Sequence, residues 1–219
     1  MTPLIRRLPR ELRHNLGKYL GIFLLMCGSI ALTSGFLLAA HSIGCLIDNM
    51  RDEYTIEDGR VTTSFEATDA QLEAAEDATE GVGGVTLHKN FSIDAAIKKP
   101  TGDDGTKRTL RTYAHRTEVD IASYCEGTKP QADNEVAVDR VFATNNGLAV
   151  GDKVELCGRA YTICGIMTLS DSQALFPNNS DFTVNTITFG VAEVTDAGFA
   201  ALEDAGGAPA YTYSFTFND

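Results

Sequence analysis

Between Tyr19 and Ala40 the chain runs for 22 residues without a charge, most of them apolar. At about 1.5 Å rise per residue such a stretch makes a helix of roughly 33 Å, enough to cross the hydrocarbon core of a bilayer. Arg6, Arg7, Arg10, Arg13 and Lys18 precede it, against the single acid Glu11. Asp48, Arg51, Asp52, Glu53, Glu57 and Asp58 follow it. The positive-inside rule then sets the N-terminus in the cytoplasm and everything past Ala40 outside the cell membrane. A cleaved signal peptide is the poorer reading, because its apolar core usually runs about 7–15 residues. Leu38 and Leu37 also occupy the −3 positions for cuts after Ala40 and Ala39, where a small residue is wanted. A core helix of a soluble protein would be shorter and would show a polar face.

The expected organisation follows from that anchor. Residues 1–18 form a basic amphipathic lead-in: Leu4, Ile5, Leu8, Leu12 and Leu16 recur at helical spacing between the arginines, which suit the headgroup region. Pro3 and Pro9 interrupt it. Residues 19–40 are the transmembrane helix. Residues 41–57 continue it as a helical stalk, with Ile43, Leu46, Ile47, Met50 and Tyr54 in helical register until Asp58-Gly59 stops it. Residues 58–219 make an extracytoplasmic domain, in one lobe or in two at about 58–125 and 126–219.

Gly21, Gly28 and Gly35 recur every seven residues, and Gly17 extends the line one turn back. Such a stripe keeps within about 20° per heptad of one line on a helix. Small residues let another membrane helix approach closely, so this stripe is the expected packing surface for a partner helix. The net charge of −12 is unevenly spread, with +4 over residues 1–18 and −16 over the rest. An acidic ectodomain argues against nucleic acid as a partner and leaves the bilayer to the N-terminal residues.

Cys27 lies in the apolar run, leaving Cys45, Cys125, Cys157 and Cys164 beyond it. A tight hairpin about Gly158-Arg159 would set Cys157 opposite Ala160 and Cys164 opposite Lys153, so the two thiols would not face each other for a bridge.

Past the anchor, Arg60–Phe65 alternates as a strand, and Thr68-Asp-Ala-Gln71 resembles a capping box opening a helix to about Ala78. Strands are expected at Val85–Leu87, Phe91–Ile97 and Thr109–Ala114, the last two as a hairpin around the polar loop Lys99–Lys107. Glu135–Val138 reads as a strand and Asp139–Thr144 as a helix stopped at Asn145-Asn146-Gly147. A strand at Phe182–Val191, a helix from Thr195 to about Asp204 and a strand at Tyr211–Phe217 complete the pattern. Strands and helices interleave without a regular repeat, which is α+β. The chain stops just after a strand, at Phe217-Asn218-Asp219, and is read as cut short there.

The block Asn134–Asp152, followed by Val154-Glu-Leu156 and Tyr161–Ile166, resembles a recurring segment of FtsX-like and MacB-like ABC transporter permeases. In that family a strand opening on Asn/Gly-Glu precedes a helix, a Gly-Asp turn, a hairpin and an apolar-x-Gly-apolar exit. Leu8–Phe23 looks like the basic lead-in to the family's first membrane helix. The resemblance covers nearly the whole chain and implies a MacB-like order, helix first and a large extracytoplasmic domain second. It implies an ABC-type ATP-binding subunit as partner, together with further permease helices or a second permease copy. Family members carry three more membrane helices after the ectodomain; this sequence has no second long apolar run.

Chemistry is sparse in the residues themselves. No phosphate-cradling Gly-x-x-x-x-Gly-Lys-Ser/Thr occurs, and Gly81-Val-Gly-Gly84 is too short and lacks the lysine. His14, His41, His88 and His115 have no metal-ligand spacing, and there is no Gly-x-Ser-x-Gly elbow. His115 reads as a solvated strand end, Asp103-Asp104 as a wet loop, and nothing demands that Asp171, Asp181 and Glu193 converge. No catalytic residue, metal or cofactor is assigned. The expectation is a permease component without enzyme activity of its own, coupling a partner's ATP hydrolysis to movement of the ectodomain. Its competitors are a single-pass sensor or adhesion domain, and an anchored hydrolase for which no nucleophile is evident.

Overall fold

A computed structural model describes residues 13–98, 105–171, 176–177 and 180–218. Arg6, Arg7 and Arg10 of the basic lead-in, and the loop positions Asp103 and Asp104, lie outside the described residues. The chain divides into two units, residues 1–49 and 50–219.

The first unit is carried by helix α1, Leu16–Tyr54, whose final turn belongs to the second. Its 39 residues span about 58 Å. Leu16–Arg51 is long and apolar enough to cross a bilayer, and none of its most apolar stretch is buried. The hydroxyls of Ser29 and Thr33 donate back to the carbonyls of Met26 and Ser29, both at 2.9 Å, so neither is left bare on an apolar surface.

The helix ends at Tyr54, not at Asp58-Gly59. Thr55 takes a left-handed conformation (φ 46°), and the Ile56 N–H turns back to the Arg51 carbonyl at 3.3 Å. A threonine there is a weaker sequence signal than the glycine four residues on.

In the second unit, β1 (Gly59–Thr63) and β2 (Val85–Lys89) flank β10 (Pro209–Phe217), both antiparallel to it. Between β1 and β2 lies α2 (Asp69–Asp77). At its start the Thr68 N–H donates to Gln71 Oε1 (2.9 Å), the reciprocal half of the capping box.

The remaining strands are β3 (Ser92–Lys98), β4 (Arg108–Ala114), β5 (Ser123–Gly127), β6 (Glu135–Asp139), β7 (Lys153–Leu156), β8 (Arg159–Thr168) and β9 (Phe189–Val194). Six of them close on themselves in the order β3-β4-β9-β6-β8-β7 and back to β3. The steps β4–β9 and β6–β8 are parallel and the others antiparallel. Closure leaves these strands few free edges. β5 adds to the outside of β8, and Pro209-Ala210 at the start of β10 pairs with β3, so one strand belongs to both the ring and the three-stranded sheet.

Alternation fills the ring. Ile93, Ala95, Leu110, Val136, Val138, Leu156, Ile163 and Ala192 are fully buried in one cluster, with Phe142 from α3 (Arg140–Asn146) and Leu202 from α4 (Asp196–Asp204). Opposite-face residues of the same strands, Tyr113, Ala137, Phe189 and Val191, make a second cluster. Gly190 is required by packing, since a Cβ there would stand 2.6 Å from the Phe142 ring.

Caps set the helix starts. Asp139 Oδ2 accepts the Phe142 N–H at 2.8 Å, Thr195 Oγ1 accepts the Gly198 N–H at 3.0 Å, and Gly147 (φ 60°) ends α3.

The fold is the expected α+β domain behind a long apolar helix, with three local corrections besides the end of α1. The β7–β8 turn is Cys157-Gly158, both at positive φ (48° and 82°), so Leu156 pairs with Arg159 and Lys153 with Thr162. Cys157 therefore sits in the turn itself. β9 begins at Phe189 rather than Phe182, because Asn185 Oδ1 accepts the Ile187 N–H and its carbonyl accepts the Phe189 N–H, a local turn that competes with a strand. β5 lacks a sequence signal, being short and bulged between Tyr124 and Glu126.

Candidate functional site

The residues of a densely charged buried cluster come from strands and from the connections that flank them. Arg116 follows β4, Asp120 precedes β5, Asp171 follows β8, Asn90 joins β2 to β3, and Ser214 lies on β10. All are almost completely withdrawn from water. An unpaired buried charge is costly, and each charged side chain here has a partner, although Arg116 Nε itself makes no hydrogen bond.

Arg116 grips Asp171 with both terminal nitrogens (3.2 Å each) and lies over the Tyr113 ring at 4.6 Å. Its Nη1 also donates to Asn90 Oδ1 (3.3 Å) and stands 3.7 Å from Asp120 Oδ2. Arg60 on β1 reaches the same Asp171 at 3.1 Å and pairs with Glu57.

Asp120 is the fastener. Its Oδ1 accepts the Glu57 N–H (3.0 Å), while its own N–H donates to the Thr55 carbonyl (3.0 Å) and the next N–H, of Ile121, to the Tyr54 carbonyl (3.0 Å). Oδ2 accepts from Asn90 Nδ2 and Ser214 Oγ, both at 3.4 Å. The segment that leaves the last turn of α1 is thus held by main-chain and carboxylate bonds to two consecutive residues, the first of them, Asp120, at a left-handed φ of 51°.

Two carboxylates around one buried guanidinium do not share it equally. Burial pushes the Asp171 carboxyl up, but Arg116 and Arg60 pull it further down, leaving it below the usual carboxylate range. Asp120 is pushed up to about 6, first by burial and then by the Asp171 charge.

A second carboxylate is tied nearby. Glu193 on β9, 1% exposed, pairs with His115 and accepts from the Arg116 N–H (3.2 Å) and the Tyr124 hydroxyl (2.9 Å). Burial, then the Glu193 charge, raises the Tyr124 phenol far above its ordinary value. His115 is consequently a cross-link between β4 and β9 and not the solvated strand end its sequence neighbours suggest. Asp171 and Glu193 do not form a carboxylate pair; they meet opposite ends of one arginine, the side chain and the main-chain N–H.

Beside this cluster is a polar cleft of about 370 Å³ lined by Arg60, Thr62, Ser92, Arg111, Tyr113 and Thr212 among others. Its arginines are already committed, Arg60 to Glu57 and Asp171, and Arg111 to both oxygens of Asp94 at 2.8 and 2.9 Å. That leaves little positive field for an anion. Among the described residues no group of His, Cys, Asp and Glu is placed to hold a metal.

The glycines proposed for helix packing lie open. A Cβ built on Gly17, Gly21, Gly28 or Gly35 meets nothing within 4 Å, and Arg13 and Lys18 are exposed. The buried ion cluster had one visible trace: Asp120 interrupts the apolar run Val119-Asp-Ile-Ala122.

No family model matches the chain, and no curated protein sequence matches it. Among solved structures it is similar to the extracellular domain of the noncanonical ABC-type transporter YknZ from Gram-positive bacteria, at 14% identity and a TM-score of 0.42, over 74% of this chain and 84% of that one. It is also similar to the periplasmic region of MacB from Actinobacillus actinomycetemcomitans, at 10% identity and a TM-score of 0.42, over 78% of each.

Proposed function

We propose that the chain is a membrane-anchored permease component that couples ATP hydrolysis by a partner subunit to movement of an extracytoplasmic domain, in export or envelope remodelling. The observation that carries this reading is α1, an apolar helix with no buried stretch, whose last turn leads into a segment pinned by Asp120 and Ile121. A helix anchored through main-chain bonds passes on a displacement, where a flexible linker would absorb it. The basic residues before the span and the acidic ones after it support a cytoplasmic N-terminus and an extracytoplasmic domain. The Gly17, Gly21, Gly28 and Gly35 stripe, open along the helix, supports a second helix there, from another copy or from further permease segments.

The test is affinity capture of the tagged protein from membranes solubilised in mild detergent. A nucleotide-binding subunit is expected in the eluate, and protease added to intact cells is expected to cut the domain beyond residue 60. Capture without any nucleotide-binding subunit would return the chain to the class of single-pass sensors or adhesion domains.

A further inference from the structure

Three cross-strand pairs share one polar face where the ring meets the three-stranded sheet. Register sets Ser92 opposite Tyr113 and Asp94 opposite Arg111 on the β3–β4 ladder, and Thr62 opposite Thr212 on the β1–β10 ladder. The two-residue period of a strand keeps Ser92 with Asp94, and Tyr113 with Arg111, on the same side. All six line the polar cleft of about 370 Å³, which is within the usual size of small-molecule sites.

Two of these side chains are unfinished. Ser92 and Tyr113 are each only 6% exposed, and neither hydroxyl has a hydrogen-bond partner among the described residues. A hydroxyl so far withdrawn from water is normally bonded, so the pair marks a place that a ligand's oxygens complete. The arginines keep a similar capacity. Arg111 spends Nε and Nη2 on Asp94, and Arg60 spends Nε and Nη2 on Glu57 and Asp171. Nη1 of each has no partner among the described residues.

Charge decides the class of ligand. Two guanidiniums, Arg60 and Arg111, meet three carboxylates, Asp94, Glu57 and Asp171, so an anion finds no surplus positive charge. A cation could not accept from the hydroxyls and spare N–H groups of the wall. Ala208, Ala210 and Pro177 complete the lining and offer contact to C–H groups.

From two unpartnered hydroxyls in a cleft with no surplus positive charge and a small apolar wall, we infer that this site binds a neutral saccharide of one or two rings. The sugar oxygens accept from Ser92, Tyr113 and the spare arginine N–H groups, a sugar hydroxyl donates to Asp94, and a C–H face of the ring lies on Ala208 and Ala210. The inference rests on the cleft alone and stands apart from the permease reading, and its test involves no nucleotide-binding subunit.

The experiment uses the full chain in phosphatidylcholine nanodiscs, titrated calorimetrically with maltose, cellobiose and N,N′-diacetylchitobiose, empty nanodiscs serving as the blank. Inorganic phosphate and spermidine are the charged comparators. At least one disaccharide is expected to bind with a dissociation constant of about 1 mM or tighter, ahead of both comparators. Ser92→Ala with Tyr113→Phe removes the two hydroxyls and little else, and is expected to weaken that disaccharide about tenfold. Ala210→Leu, at an exposed lining position, narrows the cleft without touching those hydroxyls and is expected to weaken it as much, should the double variant fail to fold. Absence of binding by all three disaccharides at 10 mM overturns the proposal. So does tighter binding of phosphate or spermidine, or undiminished sugar binding in either folded variant.

Discussion

Asp120 and Asp171 sit on the same guanidinium yet answer acid in opposite ways. The folded state raises Asp120 to about 6, so it takes up a proton that the unfolded chain, near 3.8, does not. Stability linked to this residue is therefore fully present at low pH and is lost as pH rises through about 6. Asp171 is held below 3.8, so its stabilisation is present above that value and disappears only as pH falls through its depressed pKa. Tm should accordingly be highest near pH 4, fall as pH rises to about 6, and level off above it. Asp120→Asn removes the upper titration, and the Tm slope between about pH 4 and 6 should flatten; an unchanged slope would assign the proton elsewhere. Arg116→Met takes the shared guanidinium from both buried carboxylates, leaving Asp171 with Arg60 and Asp120 with neutral donors only, and should cost about 3 kcal/mol, read as a lower urea midpoint at pH 7.5. These roles were poorly legible beforehand. Asn90, Arg116, Asp171 and Ser214 are far apart in the chain, and only strand pairing gathers them; an acid inside Val119–Ala122 was the one local sign.

Helices and turns with their own chemistry could be read from the sequence, because the deciding contacts are within a few residues. Asp139 caps α3, Gly147 stops it, Thr195 caps α4, and Gln71 closes back on Thr68. Where the local signal is weak or contested, the boundaries moved. Thr55 ends α1 without a glycine, Cys157 takes the first place of a turn usually given to Asn, and Asn185 delays β9. The element most open to test is α1 itself. Gly28→Leu or Gly35→Leu adds a side chain whose Cβ, the adjoining helix backbone aside, meets none of the described residues within 4 Å, so helix content and membrane insertion should be unchanged. Association with a partner helix should fall several-fold in an in-membrane cross-linking assay, since bulk on a small-residue stripe forces the backbones apart. Retained cross-linking would locate the contact on another face.

At the scale of the whole molecule, alternation announced most of the strands but not their neighbours. β1 meets β10 across some 150 residues, in the register Gly59↔Phe215 to Thr63↔Tyr211, and no short-range pattern encodes that pairing. The ring order β3-β4-β9-β6-β8-β7 is likewise a tertiary choice, driven by closing one apolar interior. Deleting residues 209–217 removes the middle strand of the three-stranded sheet and leaves β1 and β2 unpaired. Limited proteolysis of that variant should cut rapidly within 59–89, whereas the intact domain resists there. β10 also works as a splice. A sideways load on β1 reaches the ring through β10 and the Arg60–Asp171 pair, one on β2 through β10 and the short Asn90-Phe91 link to β3, and antiparallel ladders sheared along their length yield only when several bonds part together. The three-stranded sheet and the closed ring are consequently yoked, so that a pull on either strains both at once.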